Sequence, residues 1–400
     1  MKIALATDAW PPQVNGVVRS LTATVELLRR DGHEVEVIEP SLFWTLPCPT
    51  YPEIRLSLGC GGKVCRILED AQPDSIHIAT EGPIGWAARN WCVRNGRHYT
   101  TAFHTRFPDY VSIRTGIPVE WLWRLMRLFH GRADRTFAAT PTLAAELQER
   151  GLNRTHIWPR GVDLDQFNPD VPPHPALAHL TRPILLNVGR VAPEKNIEAF
   201  LDLNVPGSKV VVGGGPALDR MKAAYPHVLF LGPKHGAELA SVYTAADAFV
   251  FPSRTDTFGL VNIEALACGL PVAAFPVPGP ADIVGLDECG VHGGSARIGA
   301  LDEGLGQAVT RALTVDRAAA VNEARHYSWE RCTSLFLDGL AQAHKREAAA
   351  RGLEGERDKA VELECTHMAF GVSRKTAKGV VREVLKFLEE IDPTASARSG

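Results

Sequence analysis

The densest chemistry lies in one stretch, FPSRTDTFGLVNIEALACGLPVAA, from Phe251 to Ala274. Asp256 and Glu264 have seven residues between them. Gly259 lies between the two acids, and the apolar pattern opens a helix near Leu260, so Asp256 belongs to a loop and Glu264 to the helix. A carboxylate carries two acceptor oxygens and so matches a diol, as in a sugar or a ribose. The backbone N–H groups of Thr257, Phe258, Gly259 and Leu260 open the helix and can hold phosphate or sugar oxygens. Glu264 stands in apolar VNIEALA, where a buried acid needs a partner; a surface glutamate is the alternative.

Four further places carry candidate chemistry. Arg190 and Lys195, five positions apart after the run ILLNV, can clamp a diphosphate, Arg as a fork and Lys as a point charge, or form a solvated loop. Gly16, in PPQVNGVVR, stands where a strand has ended and a helix begins, which suits a phosphate or a sugar hydroxyl, or is an ordinary turn. Gly213, Gly214 and Gly215 follow another strand but have neither the GxGxxG order nor the GK[ST] of a P-loop, so tight packing is as good a reading as ligand contact. His104, just after YTTAF, can meet a sugar hydroxyl, act as acid or base, or be structural. Asp163 and Asp165 form a DxD, but in a linker without a second acidic cluster, and no ligand set for a metal emerges.

The elements that must position these residues follow one rhythm. Ile3–Ala6 reads as a strand, Gly16 onward as a helix through Val17, Leu21, Val25 and Leu28, and Val35–Ile38 as the next strand. The pattern recurs at 75–79, 83–95 and 98–103, as expected of a parallel, doubly wound sheet. Asp163–Pro183, with five prolines, reads as a linker. Alternation then restarts: strands at 184–188, 209–212, 228–231, 248–251 and 271–274, with helices at 195–203, 217–224, 237–245 and 262–267. Two such domains form a cleft at the carboxyl ends of their strands, the default site. The segment from about Lys345 has no strand signal and reads as helical or partly loose.

The 400 residues suggest two or three domains. A net charge of −3 gives no reason to expect nucleic acid. No run is long and apolar enough for a membrane span, and the first residues turn polar too early for a signal peptide. Eight scattered cysteines without a CxxC fit reduced thiols in the cytoplasm. One stretch points to a surface: VEWLWRLMRLFHGRADR, Val119 to Arg135, reads as an amphipathic helix with Trp121, Leu122, Leu125, Met126, Leu128 and Phe129 on one side and Arg124, Arg127 and Arg135 on the other. Residues 89–135 carry nine arginines against three acids, which suits an anionic membrane surface; a core helix with a solvated basic face is the alternative.

Taken together, DAWPPQVNGVVRSL, AFHTRFPDY, RGVDLDQF, NVGRVAPEKN, VVGGGPALDRM and FPSRTDTFGLVNIEALACGLPV resemble the retaining glycosyltransferases of family 4, over about residues 1–344. The nearest likeness is to bacterial α-mannosyltransferases and to sulfoquinovosyl- and glycosyl-diacylglycerol synthases. The resemblance implies an α/β GT-B fold of two Rossmann-like domains: an acceptor domain at 1–168, a nucleotide-sugar domain at 182–327, a crossover helix at 328–344, and the tail at 345–400. It implies that Gly16 and its loop approach the donor sugar and diphosphate. His104 would bind the sugar near the reacting carbon, Arg190 and Lys195 would neutralise the diphosphate, Asp256 would hold a sugar hydroxyl and Glu264 the ribose. It implies no metal and no cofactor, transfer from a UDP-hexose or GDP-mannose, and a lipid acceptor such as diacylglycerol, on the cytoplasmic face of a membrane; a lipid-linked or soluble glycan is the other acceptor. Two residues depart from the family pattern: Asp256 replaces a glutamate, and Gly214 replaces the aspartate of Gly-Asp-Gly-Pro. An epimerase or a silent nucleotide-sugar binder of the same fold is the alternative class. A dinucleotide oxidoreductase lacks its fingerprint.

Overall fold

The computed structural model describes residues 1–48, 51–104, 106, 108, 112, 116 and 118–350, with backbone alone at 48, 51–54 and 341–350. Two sheets of six parallel strands organise the chain. The first contains β1 (Lys2–Ala6), β2 (Glu34–Ile38), β5 (Ser75–Ile78), β6 (Thr100–Phe103), β7 (Arg135–Ala138) and β8 (Thr155–Ile157), in the order β2-β1-β5-β6-β7-β8. The second contains β9 (Ile184–Val188), β10 (Ser208–Val212), β11 (Leu229–Gly232), β12 (Ala248–Phe251), β13 (Val272–Ala274) and β14 (Gly299–Leu301), in the order β11-β10-β9-β12-β13-β14. That second order is the dinucleotide-fold arrangement. All five residues of β9 and all four of β12 are buried, as central strands covered on both faces must be.

Each sheet reverses its strand order once, between β1 and β5 and between β9 and β12. At such a switch point the connections leave in opposite directions and open a crevice at the strands' carboxyl ends. The first connection runs from β1 to helix α1 (Gly16–Arg30). Asn15 caps α1, its side chain accepting from the Val17 and Val18 N–H groups at 3.0 Å each. Val18, Leu21, Val25 and Leu28 turn into the core at helical spacing.

Several expectations need correction. The stretch 195–203 is not one helix: a 3₁₀ turn at Pro193–Lys195 and a short helix at Ile197–Leu201 meet at Asn196, whose φ of 51° interrupts the helical path. The segment 119–135 is helical over Val119–His130 and ends there, with Arg135 opening β7. A hairpin of β3 (Trp44–Cys48) and β4 (Tyr51–Leu58) has no counterpart in the sequence reading, and neither has β14. The chain returns to the first sheet in its last described helix, Trp329–Ala350, which lays Phe336 against Phe137 and Trp158 at ring distances of 5.6 and 5.1 Å. From residue 351 the tail lies outside the described residues.

Candidate active site

The second switch point gathers the acid and the two cations. β9 ends at Val188 and passes to Gly189 and Arg190, the latter exposed. The 3₁₀ turn brings Lys195 back so that its Nζ forms an ion pair with Asp256 Oδ1, in the loop after β12. Asn196 ties the two loops together, its amide donating to the Pro252 carbonyl at 3.0 Å. Asp256 Oδ2 is buried without a hydrogen-bond partner among the described residues.

The glycine run supports this loop. A Cβ on Gly213 would lie 1.8 Å from the Gly189 carbonyl oxygen, and one on Gly215 would lie 2.5 Å from that of Val191. Val191 N–H donates to the Gly214 carbonyl at 2.8 Å. Of the two readings left open, close backbone packing accounts for these glycines. Gly259, at φ 84°, opens the helix Leu260–Ala267, where a Cβ would meet Asn262 Nδ2 at 2.6 Å. Here glycine is required twice, by conformation and by space.

Glu264 is on that helix and 1% exposed, so the surface alternative is excluded. Its Oε1 is 2.5 Å from Arg19 Nη1, and its Oε2 accepts from the Tyr243 hydroxyl at 3.0 Å. Burial, and next the Glu264 charge, push the Tyr243 phenol well above its ordinary value, so it stays a donor.

The first domain closes over this face. Thr257 Oγ1 donates to the His104 carbonyl at 2.9 Å, across the junction. A Cβ on Gly16 would come 3.2 Å from Leu260 Cδ1. Gly16 therefore meets the helix that carries Glu264, while Asn15 takes up two of the N–H donors offered to a ligand by the sequence reading. Thr142 bonds Asp282 Oδ1 through its N–H at 3.1 Å and its hydroxyl at 2.7 Å. Phe258 is buried against Tyr327, with ring centroids 6.0 Å apart.

His104, at the end of β6, is buried and edge-on to Trp158 at 5.7 Å. Its Nδ1 faces Arg160 Nη2 at 2.9 Å, and its Nε2 is buried without a partner among the described residues. Burial, reinforced by Arg160, holds the imidazole well below its usual value, so it is neutral. The sequence reading missed Arg160 and Arg19 as site residues. Arg160 stands between Pro159 and Gly161, and a Cβ on Gly161 would strike Trp329 at 2.5 Å, so the backbone there is tightly held. Arg19 lies three positions after Gly16, one turn further on the same helix face.

The surface helix corrects one residue set. Phe129 is fully buried and packs against Trp86 at 5.0 Å, so it is a core residue and not a membrane contact. Leu122 and Met126 are buried as well. Trp121 is 65% exposed, and Leu125 and Leu128 share its face at 40% and 36%. Arg124 is exposed beside them, whereas Arg127 is half-buried and donates to the Arg150 carbonyl at 3.4 Å.

Two domains built on parallel six-stranded sheets and closed on each other make a GT-B fold. The chain belongs to the family described as Glycosyltransferase Family 4, whose model matches residues 14–166, with Glycosyl transferases group 1 matching 174–326. It is 33% identical over 310 residues to a GDP-mannose-dependent alpha-mannosyltransferase of Mycobacterium tuberculosis, covering 71% of this chain and 81% of that one. It is 28% identical over 372 residues to the sulfoquinovosyl transferase SQD2 of Arabidopsis thaliana, covering 83% and 72%. It is also 28% identical over 320 residues to an alpha-monoglucosyldiacylglycerol synthase of Streptococcus pneumoniae, covering 70% and 72%. In fold it resembles sucrose-phosphate synthase of Thermosynechococcus elongatus, with a TM-score of 0.62 at 21% identity over 87% of this chain and 99% of that one. Anabaena HepE in complex with UDP-glucose gives 0.61 at 15% identity over 86% and 100%.

Proposed function

We propose that the protein transfers a hexosyl unit from a nucleotide sugar to an acceptor hydroxyl with retention at the anomeric carbon. The observation that carries this reading is the Lys195–Asp256 pair, brought up to His104 by the Thr257 bridge between domains. Arg190 and Lys195 neutralise the diphosphate, Asp256 accepts from a sugar hydroxyl through its unpartnered Oδ2, and Glu264 takes the ribose in exchange for contact with Arg19. Thr257, Phe258, Gly259 and Leu260 supply backbone donors beside the diphosphate. The two cations provide the charge that a metal would otherwise supply.

The bond from the anomeric carbon to the diphosphate breaks as the acceptor oxygen bonds on the same face. The acceptor proton passes to a diphosphate oxygen, which leaves with the electron pair. Stabilising that leaving group is the largest demand on the protein, and loss of one cation costs about 10²–10³ in rate. Arg190→Ala and Lys195→Ala are therefore each expected to lose most activity while keeping the wild-type melting temperature. Near-wild-type turnover in either variant would overturn the assignment.

The acceptor we propose is a membrane lipid of the diacylglycerol type, with the protein peripheral on the cytoplasmic face. Support comes from the exposed Trp121, Leu125 and Leu128 beside Arg124, and from the hairpin, where Trp44, Leu46 and Leu58 are 79%, 50% and 47% exposed. Among the described residues no helix is long and apolar enough to cross a membrane. The synthase relative makes a glucosylated diacylglycerol, by its name. The deciding assay mixes the protein with labelled UDP-glucose, UDP-glucuronate, UDP-galactose or GDP-mannose and diacylglycerol vesicles. Label in the organic phase with one donor supports the lipid reading and names the sugar. Nucleotide release without lipid labelling keeps the transferase and turns the search to glycans.

A further inference from the structure

Arg160 is 6% exposed, and burial pulls its guanidinium down to about 10, still protonated at neutral pH. Its described hydrogen bonds go to no carboxylate. Nη1 donates to the Trp158 and Pro159 carbonyls at 2.8 and 3.3 Å, Nη2 faces His104 Nδ1 at 2.9 Å, and the group lies over the Trp158 ring at 4.7 Å. A guanidinium only donates, so the nitrogen it faces must offer a lone pair. The ring proton is then on Nε2, the buried nitrogen without a protein partner. The groups that act electrostatically on the ring are Arg160, His77 and His130, none of them an acid that would favour a second proton. His77 comes from β5, His130 from the helix Val119–His130, Arg160 from the segment after β8, and Thr257 from the other domain.

We infer that Arg160 is a positioning residue that locks His104 as the neutral Nε2–H tautomer, making the imidazole a hydrogen-bond donor to the substrate and not its general base. This rests on the reading that His104 meets the donor sugar. It follows that a ring already carrying its proton on Nε2 cannot collect the acceptor proton there, which leaves the departing diphosphate to take it.

The test reads the tautomer directly in the full chain labelled with ¹⁵N-histidine, with His104 assigned by the resonance missing from His104→Gln. The expected result is a bare Nδ1 and a protonated Nε2 from about pH 5.5 to 8.5, with no titration. In Arg160→Met the ring is expected to stay neutral, because burial persists, but to exchange between the two tautomers, with a proton appearing on Nδ1. Its kcat, measured as nucleotide release from the donor the panel selects, should fall about twofold or more at every pH, because part of the population no longer donates from Nε2. Arg160→Lys keeps a donor and is expected to restore the bare Nδ1. A proton on Nδ1, or a titrating His104, in the wild type overturns the proposal whether or not any variant folds. A wild-type tautomer spectrum in Arg160→Met overturns the role of Arg160. Full turnover by His104→Gln, with the tautomer as expected, removes the sugar contact but leaves the lock standing.

Discussion

His77 lies in the middle of β5 with its ring between Phe137 at 5.0 Å and Phe336 at 4.8 Å. Burial lowers it to about 3, so the folded protein keeps it neutral where an unfolded chain protonates it near 6.5. Between those values the unfolded state binds one more proton, and stability falls by about 1.4 kcal/mol per pH unit as the pH drops. The contribution is intact above pH 6.5 and is spent by about pH 3. Urea unfolding at several pH values should show a slope one proton shallower in His77→Gln than in the wild type; equal slopes would mean that His77 is charged in the fold. At this same scale the sequence was partly legible. Asp256 and Glu264 stood out because carboxylates beside a helix start announce themselves locally. Their partners did not: Arg19 meets Glu264 from the other domain, and no local pattern encodes such a pairing.

Among elements, buried central strands were the most readable. Ile184–Val188 and Ala248–Phe251 are apolar runs that end where the apolar residues end. The hairpin was hidden because the prolines at 47 and 52 interrupt the strand pattern of the sequence and because Trp44 and Leu46 face outward, against the usual pattern. The helix Val119–His130 was misread for another reason. Its apolar arc is wide, covering more than half the circumference opposite Glu120, Arg124 and Arg127, so periodicity alone cannot tell the part that faces the core from the part that faces out. The structure separates the two and makes them testable. Phe129→Ala is expected to cost about 3–5 kcal/mol in urea unfolding, as a large buried ring does. Trp121→Ala with Leu125→Ala should leave stability within about 0.5 kcal/mol. The same pair should weaken sedimentation with anionic vesicles more than tenfold, since each side chain is worth about 1.5–3 kcal/mol on burial. Unchanged vesicle binding would exclude this face as the membrane contact.

For the whole molecule, the two domains are legible as two runs of alternation separated by a proline-rich stretch, but their contact is not. Thr257 to His104, Thr142 to Asp282 and Arg19 to Glu264 join residues more than a hundred positions apart. The returning helix reaches further still, with Glu330 near Arg30 at the end of α1. Cys332 donates to the Pro159 carbonyl, and a Cβ on Gly339 would strike Phe137 at 2.3 Å, so this helix sits directly on the first sheet. Phe336→Ala is expected to cost about 3–5 kcal/mol. Hydrogen exchange should then show the lost protection in β7 and β8; loss confined to the second sheet would contradict the packing.

That same helix bears on the order of events during synthesis. The aromatic layer of Phe137 and Trp158 waits for Phe336 to cover it, and about 170 residues separate Trp158 from Trp329. At the ribosome's pace of about 5–20 residues per second, the first sheet stands uncovered for roughly 9–34 s. The second domain, continuous in sequence over its own strands, has time to form during that interval. The half of the protein made first is thus the half completed last.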